Sequence, residues 1–219
     1  MIVSLKNIHI SETAKLNVSL DPTSLFAKIG KDFREKVFYK EIVEQDNNFG
    51  FVYMDNNKIV GYISCTLDSS VFYEGIKSKY TLILFSLMLR LFLRFPFTAV
   101  RYMELFFNLE QGCFDTQAKA EIISFGVSPE YRSLEYFNRT GIKVPVMLFM
   151  KALERLKDKG IEQVKFTVAA DNALANIFFL NFGSIPVKKF KFLGSRQAMY
   201  SLNVSEALRR KESDKNGAI

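Results

Sequence analysis

The sequence predicts an α/β fold built on a mixed sheet, and three observations carry that prediction. From residue 50 onward the elements read strand, strand, helical insertion, strand, helix, strand, helix, strand, strand, an alternation that mixes hairpins with crossovers. FVYMDNNKIVGYISCTL sets two apolar runs about a polar turn, DNNK, whose asparagines tolerate positive φ. AEIISFGV is followed, after a polar interval, by IKVPVMLFMKALERLKDKG, a helix with proline in its first turn and a glycine stop at Gly160.

Taken in order, IVSLKNIHIS alternates as a first strand. DPTSLFAKIGKDFREKVFYKEIVEQ then carries Leu25, Ile29, Phe33, Val37 and Phe38 near helical spacing, with Asp21 and Pro22 as N-cap and first-turn residues. After the hairpin, the segment from Lys77 to Phe107 is dense in apolar residues. Arg90, Arg94, Pro96, Arg101 and Glu104 interrupt it, so no run reaches the ~20 residues of a membrane span. On a wheel of ~100° per residue, Lys79, Ser86, Arg90, Arg94, Arg101 and Glu104 fall within about 40° of one direction, and Pro96 is expected to break the helix in two. Strand EQVKFTVAA, helix NALANIFFLNFG and the strand pair IPVKKFKF and QAMYSLNV complete the chain. From Ala207 the apolar period disappears into mixed charge. The reading is therefore one domain over 1–204, with a hydrophobic helical insertion at about 69–115 and a flexible charged tail over 205–219.

Composition narrows the function. Hydrophobic residues at 48% against charged residues at 24% suit a chain that buries a core. A net charge of +7 favours anionic partners: a phosphorylated cofactor, a nucleic acid or an acidic membrane surface. No helix-turn-helix, RRM or zinc pattern supports the nucleic acid. Cys65 and Cys113 are too few for a disulfide framework, and without a signal peptide the chain is expected to be cytoplasmic. A single histidine, His9, argues against histidine-based metal sites and a Ser-His-Asp triad, so no metal is expected.

The chemistry concentrates over residues 120–184. A strand that turns through Gly141 into a helix aims unpaired N–H groups and the positive end of a helix dipole at one place, which suits phosphate. Arg132, Arg139 and Lys143 surround it. Together, AEIISFGVSPEYR, NRTGIK and VKFTVAADNALANIFFLNFG resemble the GNAT superfamily of acetyl-CoA-dependent N-acetyltransferases, over roughly residues 50–204. The family's pyrophosphate loop, Q/R-x-x-G-x-G/A, aligns with Asn138, Arg139, Thr140, Gly141, Ile142 and Lys143. Only the first glycine is kept, and LEYFN lengthens the loop.

The resemblance implies a mostly antiparallel sheet with a V-shaped split between two parallel strands, flanked by helices. One of these strands ends near Val127 and the other near Val168. It implies that the backbone of Phe125, Gly126 and Val127 faces acetyl-CoA, with an N–H polarising the thioester carbonyl. Glu121 aligns with the base of histone-acetylating members, since an attacking amine must lose a proton. Asn172 would hold the pantetheine arm or an ordered water, and its position also suits a helix N-cap. Counting N-x-x-A-x-x-x-Y from Asn172 puts Phe179 where the family's proton-donating tyrosine stands, with Phe178 as core. Tyr131 and Tyr136 are the substitute donors within reach in sequence. The resemblance thus implies transfer of an acetyl group from acetyl-CoA to a primary amine of a small molecule, with an amino sugar of glycan assembly as a candidate. The alternative is a non-catalytic acyl-CoA-binding or sensor module. The insertion would be a lid, a homodimer surface or a patch lying on lipid headgroups.

Overall fold

The computed structural model describes residues 1–20, 30–94, 118–192 and 195–216. Strand β1 (Ile2–Ser4) is shorter than its alternation suggests, because the chain turns at once through Asn7–His9 into α1 (Ile10–Leu20). The sequence hides this helix because its buried face includes Thr13 and Asn17 beside Ile10 and Ala14. His9 serves the turn, its Nδ1 accepting from the Lys6 N–H at 3.1 Å. Next comes α2, made of Lys31–Phe33, a π-helical turn Arg34–Phe38 and Tyr39–Glu44. It matches the second part of the expected helix, whereas Asp21, Pro22, Leu25 and Ile29 lie outside the described residues.

Strands β2 (Asn48–Asp55) and β3 (Lys58–Thr66) form the expected hairpin, with Asn56 and Asn57 at φ 47° and 61°. The insertion begins as α3 (Ser69–Lys79), capped by Asp68, and continues as α4 (Thr81–Arg94). A first break falls near Tyr80, which separates Lys79 from the rest of the expected polar stripe. Pro96, Arg101 and Glu104 fall outside the described residues. Then follow β4 (Ala120–Val127), a 3-10 turn (Pro129–Arg132), α5 (Leu134–Thr140), α6 (Val144–Asp158), β5 (Gln163–Ala169) and α7 (Ala173–Leu180). Strands β6 (Ile185–Phe192) and β7 (Ser195–Asn203) lead to α8 (Val204–Asn216).

Helix α8 corrects the tail reading. Val204, Ala207 and Leu208 recur at helical spacing and are buried, and Lys211 sits over the Phe182 ring at 5.1 Å, so the charged segment is anchored on its inner face.

The seven strands run β1-β2-β3-β4-β5-β7-β6, antiparallel throughout except for β4 beside β5. That parallel pair touches only over Ala120–Ile122 against Val164–Phe166. Beyond it, β4 follows β3 to Val127↔Gly61, while β5 follows β7 to Ala169↔Gln197, so the two strands splay. This is the expected V. A register shift at Ile123 (Cys65↔Ile122, then Ser64↔Ser124) marks a β-bulge, where one extra residue changes which face later side chains take. Ile122, Phe125 and Val127 therefore join the core with α6, α7 and α8, whereas Ser124 and Gly126 face α1 and β3 on the other side.

Candidate functional site

Glu121 occupies the middle of the three rungs where β4 and β5 still pair, directly before the split. Its side chain is 6% exposed and lies under the first helix of the insertion, where Tyr73 donates to Oε1 at 3.3 Å. Burial pushes its pKa up to about 7; the Lys165 ammonium and hydrogen bonds from Tyr73 and Ser69 pull the other way. Lys165 is the register partner of Glu121 on β5 and is itself buried. Glu121 Oε2 has no hydrogen-bond partner. A buried carboxyl that titrates near neutrality and keeps one oxygen uncommitted can take a proton from an adjacent amine.

The helix side of the split carries a polar network that the sequence does not announce. Asn17 Nδ2 donates to Tyr39 Oη and to Ser124 Oγ, both at 2.9 Å, which ties α1 to α2 and to the strand bearing Glu121. Burial raises the pKa of Tyr39 and Tyr62, with the Arg34 guanidinium opposing it, so both phenols stay protonated. Tyr62 Oη crowds Gly126, where an added Cβ would stand 2.7 Å away. Only a glycine leaves room for that hydroxyl beside the open edge of β4.

The other side is aromatic. Phe125 on β4 meets Phe178 at 5.7 Å and Phe179 at 6.2 Å, and Phe149 of α6 touches both α7 rings. The sequence assigns Phe178 to the core and Phe179 to the reacting end, but the helix places them the other way. Phe179 is 5% exposed, packed 4.2 Å from Phe166, whereas Phe178 lines the cleft at the start of α6. Asn172 caps α7, its Oδ1 accepting from the Ala175 N–H at 3.1 Å, and this phase decides which ring points inward.

That cleft, about 300 Å³, is bordered by Arg132, Lys143, Ile142 and Val146 as well as Phe178. The residues LEYFN form most of the short helix α5, which ends on Gly141 at φ 70°. Gly141 thus acts as a C-cap before the chain enters α6. Thr140 Oγ1 accepts the Ile142 N–H at 3.2 Å, and Pro145 has no N–H to offer. The cradle therefore supplies fewer backbone donors than the aligned loop pattern implies, and the side chains of Arg132 and Lys143 supply charge instead. Lys143 Nζ sits over the Phe137 ring at 4.6 Å. Asn138 is exposed, and Arg139 lies over the Tyr136 ring at 5.6 Å.

Tyr136 is not brought to the split. It is buried against Tyr131 at 4.7 Å and hydrogen-bonded with Tyr53, while Tyr131 donates to Asp55 at 2.9 Å. Tyr136 is thus committed to the β2–β3 hairpin end rather than to a donor's place, whereas Tyr131, its hydroxyl given to Asp55, also borders the cleft. Among the described residues no cluster of three or more His, Cys, Asp or Glu could hold a metal.

The split sheet flanked by helices is that of the GNAT acetyltransferase fold, and solved structures share it. The chain is similar to the PaiA N-acetyltransferase of Thermoplasma acidophilum in complex with coenzyme A, at 12% identity and TM-score 0.57, covering 93% of this chain and 99% of that one. It is also similar to the ribosomal-protein-S18-alanine N-acetyltransferase of Escherichia coli, at 12% identity and TM-score 0.54 over 93% of each chain. Spermidine N-acetyltransferase of Vibrio cholerae gives 12% identity and TM-score 0.54 over 96% of this chain and 99% of that one. No protein-family model and no curated protein matches the sequence. At such identities the likeness establishes the fold.

Proposed function

We propose that this protein is an acetyl-CoA-dependent N-acetyltransferase acting on a primary amine of a small molecule. The observation that carries the reading is Glu121, buried where β4 and β5 part, titrating near neutrality and with Oε2 uncommitted. Acetyl-CoA, when bound, supplies an activated acyl thioester. The residues present suit it: Arg132 and Lys143 stand at the cleft to pair with phosphate, and the edge of β4 beyond Ile122 has no partner strand among the described residues. Backbone of Phe125, Gly126 and Val127 lies along that edge and would orient an extended amide-bearing arm. Glu121 would accept the amine proton, leaving nitrogen with a free lone pair. Ser124, half-buried and bonded to Asn17, sets a hydroxyl on the helix side of β4, which supports a hydroxylated acceptor such as an amino sugar.

Calorimetry with acetyl-CoA, followed by thiol release over amino sugars, polyamines and peptide amines, tests the reading. Turnover on an amine, lost in Glu121→Gln without loss of acetyl-CoA affinity, is the expected result. A second reading, a non-catalytic acyl-CoA sensor, is favoured by the rings of Phe125, Phe178 and Phe179 meeting across the split and by phenylalanine where a proton donor would stand. Tight binding with no turnover on any of these amines would select it.

A further inference from the structure

Helix α4 presents an apolar ridge to solvent. At ~100° per residue, Leu82, Phe85, Leu89, Phe92 and Leu93 fall within a sector of about 100°, and they are 85%, 69%, 51%, 50% and 78% exposed. On the far side Leu84 is buried in the core formed with α1, α2 and α3. Single exposed leucines need no explanation, but five aligned large side chains on a 14-residue helix do.

The charges beside the ridge indicate its partner. Arg90 borders it, 73% exposed and 4.0 Å from Asp32 of α2. The chain as a whole carries a net charge of +7. No helix among the described residues is long and apolar enough to cross a membrane.

We propose that α4 lies on an anionic lipid surface, with its leucine and phenylalanine ridge at the acyl–headgroup boundary and Arg90 on lipid phosphate. A second copy fits less well. A two-fold interface would set Arg90 near its own copy in a chain whose net charge is already +7. The inference is independent of acetyl transfer, and it places α4 at a membrane face.

Co-sedimentation with phosphatidylcholine vesicles, with and without a one-third share of phosphatidylserine, tests it. The protein should pellet with the anionic vesicles and stay in solution with the neutral ones. Leu82→Ser/Phe85→Ser/Leu89→Ser should weaken binding at least about tenfold, with an unchanged thermal midpoint because these side chains are exposed. Arg90→Glu should weaken it further at low salt, and the effect should fade at 1 M salt, where the screening length is ~3 Å. No wild-type binding overturns the proposal, as does equal binding by the triple variant. A lipid-free dimer that the same three substitutions dissolve would assign the ridge to a second copy. Ridge amides strongly protected from exchange in a lipid-free monomer that ignores vesicles would assign it to a segment of this chain. Either result also overturns the proposal.

Discussion

Replacing Glu121 with glutamine separates the carboxyl's charge from its shape. The amide would still accept from Tyr73 and Ser69, but it cannot ionise. In the folded protein, burial lifts the Glu121 pKa from the usual 4.5 to about 7. The folded value lies above the unfolded one, so the folded state binds the proton more tightly. Its stabilising contribution is then full below about pH 4.5 and is lost as pH rises through about 7. The difference corresponds to roughly 3 kcal/mol, at ~1.36 kcal/mol per pKa unit. Urea unfolding of both proteins between pH 4.5 and 8 should show wild-type stability falling by about that amount relative to the variant. The same protonation should appear in kinetics, with wild-type turnover rising toward a plateau above about pH 7 and the variant lacking that limb. Parallel stability curves for the two proteins would refute a carboxyl held protonated by burial. A shared kinetic limb would remove Glu121 as the base.

Other consequences are measurable in the same way. Asn17→Ala leaves Tyr39 and Ser124 without their shared donor and should cost about 2 kcal/mol in urea unfolding; a loss within experimental error would mean the network is not formed. Phe179→Tyr puts a hydroxyl among Phe166, Phe149 and Phe125, so stability should drop by about 1–3 kcal/mol without a gain in turnover; a faster enzyme would show that the hydroxyl reaches the leaving group. Lys143→Ala should weaken acetyl-CoA binding in calorimetry about tenfold, equivalent to ~1.4 kcal/mol, while Lys143→Arg retains most of it; unaltered affinity would take Lys143 out of the phosphate cradle.

Local signals in the sequence are reliable here and long-range ones are invisible. The hairpin at Asn56 and Asn57, the strand bearing Glu121, the N-cap at Asn172 and the splayed pair all follow from turn chemistry, apolar patterning or family likeness. Helix α1 does not, because Thr13 and Asn17 are polar residues buried by tertiary packing and interrupt the apolar period. The network that joins Asn17 to Ser124 spans 107 residues of sequence, a distance over which no spacing rule operates. The exchange of Phe178 and Phe179 is one step of helical phase, set by where the cap falls. The tail looks flexible in sequence because its polar majority masks Val204, Ala207 and Leu208, three contacts that suffice to dock it.

The bulge at Ile123 sets the parity of β4. Upstream of it, even-numbered side chains face the aromatic compartment; downstream, odd-numbered ones do. One extra residue thus lets a single strand hand a carboxylate to the polar compartment and, four positions later, a phenyl ring to the other. Were the same strand to pair through Ile123 without the bulge, strict alternation would throw every side chain from Ser124 to Val127 onto the opposite face. Phe125 would be driven among the phenols and Gly126 would leave a gap in the ring cluster. The strand would keep its length class and composition, yet its two compartments would exchange contents.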